Sequence, residues 1–467
     1  MPGMSRAIVQ VCVSLVAGLC ALDATSQSAQ TIPPPGPPQP QAAAPVARPA
    51  PGFSTPEMRA LEEANRISDR DQKLAALRKV QADLKGSVAV FVVREVDEAI
   101  LWHLITQDDL AERDFREALE LSPGLSHAPI ALAELELRRG NKAAALDQYL
   151  LAAIGGRLKP ADDNVFRALY RELKGSDANL ERELDKLYDK HFPNPITPKA
   201  YEPSGTGSKR VVLLELFTGS ACGPCVSADL SWDAVLVRYP EDVIAPLAYH
   251  AHIPGPDPMV VPGGDVRRLY YQLTGVPMFN VNGGLARQGG GSREMAVRTY
   301  EAAIAAIDRA LATKTTADVQ VRADRAGSTV NVTARATGLP AGASNLRLHI
   351  VLAERHLSYS GENGIRHHAM VVRGVAGSKE PGVPIRGSSD TTVDYVFDLT
   401  QIAADVEASL ADEIARIRKT RSGAATPPDY RAEGRALSTI DPAALVVVAF
   451  VQDASKNVLQ AARTSVK

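Results

Sequence analysis

Val211-Val212-Leu213-Leu214-Glu215-Leu216-Phe217-Thr218-Gly219-Ser220-Ala221-Cys222-Gly223-Pro224-Cys225 is an apolar run that ends at a glycine and leads into a cysteine pair. The run is rich in Val and Leu and reads as a buried strand, and the residues from Val226 to about Arg238 read as a helix. Both thiols therefore fall on a strand-to-helix turn. The chain has four cysteines, and the other two, Cys12 and Cys20, lie in an N-terminal stretch with the marks of a cleaved targeting segment. Removal of that segment leaves Cys222 and Cys225 as the one pair able to form an internal disulfide.

A dithiol exchanges only when one sulfur is a thiolate, and the unpaired N–H groups and positive dipole end of a helix N-terminus stabilise that form. Cys222 takes this place and is the expected nucleophile. Cys225 lies one helical turn further in, is expected to be more buried, and would attack the mixed disulfide from within. The alternative is a purely structural disulfide, but so short a loop closes little chain entropy and stabilises weakly.

Downstream the order is strand (Val243 to His250), helix (Val266 to Leu273), strand (Met278 to Val281), a turn at Asn282-Gly283-Gly284 and a helix (Arg293 to Thr313). Strands alternating with helices indicate an α/β sheet over residues 210–314. Cys222-Gly223-Pro224-Cys225, with Gly275-Val276-Pro277 about 52 residues further on and just before a strand, resembles the thioredoxin superfamily. The resemblance implies that Pro277 is cis and faces the dithiol, with Val276 offering its backbone to an extended substrate. In thioredoxin the exposed thiol has a pKa of about 7, against about 8.5 for a free cysteine. The resemblance also assigns a role to Glu215, on the strand feeding the site, where many thioredoxins hold a buried acid that moves protons to and from the inner cysteine. Glu215 stands seven residues before Cys222 rather than six, and an exposed edge residue is the other reading.

Glu215 to Cys222, Tyr249-His250-Ala251-His252 with Asp257-Pro258-Met259, Gly275-Val276-Pro277, and Val448-Ala449-Phe450-Val451-Gln452-Asp453 together resemble thioredoxin-like outer-membrane lipoproteins, in which a β-sandwich follows the thioredoxin domain. Residues 315–467 fit that order. Val319, Val321 and Ala323, then Val330, Val332 and Ala334, then Leu346, Leu348, Ile350 and Leu352 alternate with period two, and further strands read at Thr392 to Phe397, Leu445 to Val451 and Val458 to Thr464. A polar helical insertion over 402–435 is expected to protrude from the sandwich. The chain departs from this family in having a bulky Leu19 before Cys20, a poor lipidation site, and Ala221 where thioredoxins usually carry tryptophan.

Upstream, Arg6 and the apolar stretch Ala7 to Leu22 read as a signal peptide over residues 1–26, with a retained membrane anchor as the alternative, and either predicts export to the periplasm or cell envelope. Residues 27–54, with Pro33-Pro34-Pro35 and Pro37-Pro38, form a Pro/Ala-rich linker that favours extended polyproline II. Thr55 and Pro56 open a helical region running to 192. Shifted by 34 residues, Ala111, Phe115 and Ala118 fall on Ala145, Tyr149 and Ala152, which resembles tetratricopeptide repeats. Such repeats would offer a concave surface to a peptide or protein ligand, or serve as a helical spacer.

The formal charge of -2 and pI near 6.5 supply no basic field for phosphate, so nucleic acid is not an expected partner. His250, His252, His367 and His368 raise a metal site as an alternative use of the dithiol, but a second knuckle of firm spacing is missing. The expected architecture is multidomain: an α-helical repeat domain, an α/β thioredoxin-like domain and an antiparallel β-sandwich. The expected activity is thiol-disulfide exchange with protein thiols and disulfides, by Cys222, Cys225, Pro277 and Glu215, without cofactor or metal. Gly223-Pro224 resembles reducing members, so reduction is favoured and an external electron donor is required. The rival is a cell-envelope binding or scaffold protein with a low-turnover module.

Overall fold

The computed structural model describes residues 70–83, 128–156, 158–203, 209–286, 290–341, 345–377, 382–386, 390–420 and 437–467, with isolated positions between them. The expected signal peptide, the linker, the first repeat unit and the insertion beyond 420 lie outside the described residues.

The helical region comprises α1 (Arg70–Asp83), α2 (Ala128–Arg138), α3 (Lys142–Ile154), α4 (Pro160–Lys174) and α5 (Leu180–His191). Gly140 turns the chain between α2 and α3 at φ 80°, a conformation that favours glycine. Proline begins α4, with Asp162 and Asp163 in its first turn and Arg171 and Lys174 in its last, each complementing the helix dipole. Ala145, Tyr149 and Ala152, the positions expected in a second repeat unit, are buried on α3, where Tyr149 shares a core with Phe166, Tyr170, Leu184 and Tyr188.

Next come β1 (Val212–Thr218), α6 (Val226–Arg238), β2 (Ile244–His250), α7 (Pro262–Tyr270), β3 (Met278–Val281), β4 (Gly284–Ala286) and α8 (Ala296–Leu311). α7 begins earlier than expected because Pro262 takes the first helical position. The chain continues with β5 (Asp318–Ala326), β6 (Thr329–Thr337), β7 (Leu346–Ser358), β8 (His367–Val375), β9 (Val383–Ile385), β10 (Thr391–Asp398), α9 (Leu399–Thr420), β11 (Leu445–Gln452) and β12 (Val458–Ser465).

The strands expected to form a separate sandwich after residue 314 divide between two sheets. One nine-stranded mixed sheet runs β12-β11-β7-β8-β2-β1-β3-β4, with β9 beside β7, and only β10-β6-β5 form the second, antiparallel sheet. β1 and β2 are parallel, as are β2 and β8, whereas β3 runs antiparallel to β1. The reason lies in β11, whose eight residues are all buried. Val446, Val448 and Phe450 join the core that holds the cysteine pair, while Leu445, Val447, Ala449 and Val451 join a second core with β5 and β6. A strand apolar on both faces needs cover on both faces, and the shared sheet supplies it. Residue 314 therefore does not divide the sheet.

The described part of the helical insertion, up to residue 420, does not protrude either. Ile402, Val406, Leu410 and Ile417 of α9 are buried along one helical stripe, and Ser409 Oγ lies 3.1 Å from His252 Nε2. Among the described residues, no helix is long and apolar enough to cross a membrane.

Candidate functional site

β1 ends at Thr218, and the chain turns through Gly219, Ser220 and Ala221 to Cys222, which precedes a single 3-10 turn leading into α6. Cys222 and Cys225 are joined as a disulfide with their Cα atoms 5.3 Å apart. The Val276–Pro277 peptide bond is cis, and Cys222 Sγ lies 3.9 Å from Val276 O. The strand pairing of β3 with β1 brings Pro277 to the dithiol across the interval of sequence that separates them. Gly291 crosses behind the turn, donating its N–H to Pro224 O at 2.7 Å and accepting from Ser227 N at 3.1 Å. Cys225 is fully buried, as expected, but Cys222 is only 4% exposed, well short of an open nucleophile.

Glu215 is neither an isolated acid nor an edge residue. Its carboxylate takes two hydrogen bonds from Arg267 of α7, at 2.7 and 3.0 Å, and a third from Tyr271 Oη at 2.7 Å. Arg267 also donates to Gln452 Oε1 of β11 at 2.8 Å. Successive strand residues face opposite sides, so Glu215 points to α7 while Leu216 and Thr218, on the other side, abut the dithiol helix. This parity separates Glu215 from the inner cysteine.

An acid on the Thr218 side of β1 is Asp229, in the first turn of α6 and four residues after Cys225. Thr218 Oγ1 donates to it at 2.7 Å. Burial raises its carboxyl to about 7, against the pull of the Thr218 hydroxyl, His250 and Asn363. A cavity of about 10 Å³, room for roughly one water, is lined by Thr218, Asp229, Asp233, His250 and His368. Burial also holds Asp233 well above the usual carboxylate range.

His250 Nδ1 lies 2.8 Å from Asp257 Oδ2, and the same oxygen accepts Ser220 N–H at 2.6 Å. Burial would raise Asp257, but the His250 ring and the bonds from Ser220 and Met259 hold it at about 2. His250 thus reaches the cysteine turn through Asp257. Burial, with His250 beside it, lowers His368 to about 3, so this ring is neutral; its Nε2 lies 2.9 Å from Tyr359 O. His367 Nε2 sits 3.1 Å from Asp189 of α5. Among the described residues, no group of three or more His, Cys, Asp or Glu side chains is placed to hold a metal ion.

Asp229, Asp257 and Asn363 are the site residues that sequence reasoning misses. Asp229 has a signal in its helical spacing from Cys225 and Asp257 falls in a segment that carries the resemblance, but neither spacing nor resemblance assigns them a role, and Asn363 arrives from a loop with no signal.

No family model matches this sequence, and no curated protein matches it. Among solved structures, HBP35 of Porphyromonas gingivalis is similar over 56% of this chain and 77% of that one, with 14% identity and a TM-score of 0.36. Overlap at that level settles neither fold nor function.

Proposed function

We propose that this chain is an exported thiol-disulfide oxidoreductase of the thioredoxin superfamily, acting on protein disulfides and favouring their reduction. The observation that carries the reading is the bonded Cys222–Cys225 pair at the start of α6, set against the backbone of Val276. In the reduced protein the Cys222 thiolate attacks a substrate disulfide, forming a mixed disulfide and releasing one substrate thiolate. Cys225 loses its proton to Asp229 and attacks Cys222 Sγ, which restores the internal disulfide and releases the second substrate thiolate. Two electrons pass to the substrate, and a two-electron thiol donor must return them. Export is supported by Arg6, the apolar stretch Ala7 to Leu22 and the confinement of the other cysteines to that end. The helical region would bind a peptide or protein partner.

A binding or scaffold role with little turnover is the second reading, favoured by the 4% exposure of Cys222. The reduction potential separates the two. Equilibration in graded dithiothreitol buffers, with thiols counted by alkylation and mass, should give a value near thioredoxin's, about -270 mV, for a reductase; one near -120 mV would mark an oxidase. Cys225→Ser, which keeps the nucleophile and removes the resolving thiol, should accumulate mixed disulfides with protein substrates. A pair that never exchanges hands the case to the scaffold.

A further inference from the structure

The connection between β7 and β8 folds back over the cysteine turn. Tyr359 N–H donates to Arg366 O and Gly361 N–H to Ile365 O, both at 2.8 Å, and Gly364 N–H closes the tip on Gly361 O at 2.9 Å. This hairpin is fastened at two places.

Its tip grips the dithiol turn. Asn363 N–H donates to Ser220 O at 3.0 Å, and its side-chain amide donates to Gly219 O and Cys222 O, both at 3.3 Å. Ile365 is 1% exposed and shares a core with Cys222 and Val276. The approach is so close that a Cβ on Gly361 would stand 2.5 Å from Ser220 O.

Its base is clamped by the helical region. Arg366, with a side chain only 3% exposed, pairs with Asp185 and Glu181 of α5, each at 2.8 Å, and donates to Ser360 Oγ at 2.9 Å. The turn after α3 presses on the same hairpin, since a Cβ on Gly156 would fall 2.2 Å from Gly361 O. A cleft of about 600 Å³, lined by Phe166, Arg167, Glu181, Tyr359 and Arg366, opens beside the clamp.

We propose that residues 359–366 are a strap over the dithiol, held shut by the helical region through Arg366, and that release of this clamp governs access to Cys222. The tip bonds are neutral and made to backbone, so water replaces them at little cost. The base bonds are charged and hold a buried guanidinium, which makes them the stronger fastening. The regulation concerns the same site as the proposed oxidoreductase activity, but its test reads access alone and is separate from turnover.

The experiment follows reduction of the oxidised full-length chain by dithiothreitol. One dithiothreitol thiolate attacks the disulfide, its second thiol closes the cyclic disulfide, and Cys222 and Cys225 are left as thiols for timed alkylation. Arg366→Ala leaves Asp185 and Glu181 where water can solvate them, and the pair Glu181→Gln, Asp185→Asn removes the charge while keeping shape. Both should be reduced at least tenfold faster than wild type. Gly361→Ala, which must lift the tip from Ser220, should also be faster. Arg355→Ala, which breaks a peripheral pair with Glu241 (2.6 Å), should leave the rate unchanged. Rates within twofold of wild type in every clamp and tip variant that folds overturn the proposal. If none folds, wild-type protein decides: a strap that opens locally gives a reduction rate that climbs in urea below the unfolding range, and a flat rate there overturns it.

Discussion

Up to about pH 7 Asp229 holds a proton that an unfolded chain would release near pH 4, and this difference gives the residue a measurable signature. Below about pH 4 both states are protonated, and above about pH 7 both are ionised. Between those values only the unfolded state loses its proton, so the contribution of Asp229 to stability falls as pH rises from about 4 to about 7. Asn cannot ionise. Asp229→Asn should therefore match wild type in urea unfolding near pH 4 and exceed it near pH 8, by up to about 4 kcal/mol. Equal differences at both pH values would show that the carboxyl is not held protonated. The same variant should slow the Cys225 step roughly 10²-fold and remove its inflection near pH 7, as expected of a lost proton acceptor. Stability gained and exchange lost in one substitution is the pattern of a residue retained for its chemistry.

At the scale of elements, β1, α7 and β11 are clasped by Glu215, Arg267, Tyr271 and Gln452. Arg267 is 1% exposed, and Arg267 Cζ stands 5.1 Å from the Phe450 ring centroid. Removing one partner strands a buried charge, so Glu215→Ala should cost about 3–5 kcal/mol in urea unfolding. The pair Glu215→Leu, Arg267→Met, of similar volume and no charge, should recover most of that loss. In the double variant the pH profile of thiol exchange should stay as in wild type, because Glu215 faces α7 and not the dithiol. A profile shifted like that of Asp229→Asn would return the proton role to Glu215. The sequence identifies Glu215 as an acid on the right strand, but its partner lies 52 residues away in α7, and only the fold reveals the pairing.

Across the whole molecule, the continuous sheet makes the region around the dithiol depend on strands near the C-terminus. Residues 210–314 alone would expose the outer edge of β2 and the core face filled by Val446, Val448 and Phe450. That fragment should show no cooperative unfolding transition, whereas residues 210–467 should unfold as a unit, by calorimetry or urea with circular dichroism. A cooperative transition in the short fragment would restore the boundary expected near 314.

The cysteine turn, the helix behind it, β1, β2, β3 and the placement of Pro277 were legible because each follows from local pattern: an apolar run, a turn, a helical stretch, a proline before a strand. β5, β6, β7 and β10 were legible for the same reason. β8 was not, because in His367-His368-Ala369-Met370-Val371-Val372-Arg373-Gly374-Val375 the alternation of the first residues gives way to a buried run from Met370 to Arg373, the last of them a charged residue buried beside Glu354 at 3.4 Å. By itself the sequence determined which residues can carry thiol chemistry and which segments are strands or helices, since period and turn chemistry are local properties. Only the tertiary structure decided which sheet each strand joins, which side of β1 Glu215 faces, and what covers Cys222. Those depend on strand parity and on contacts such as Asn363 with Cys222, made between residues far apart in the chain.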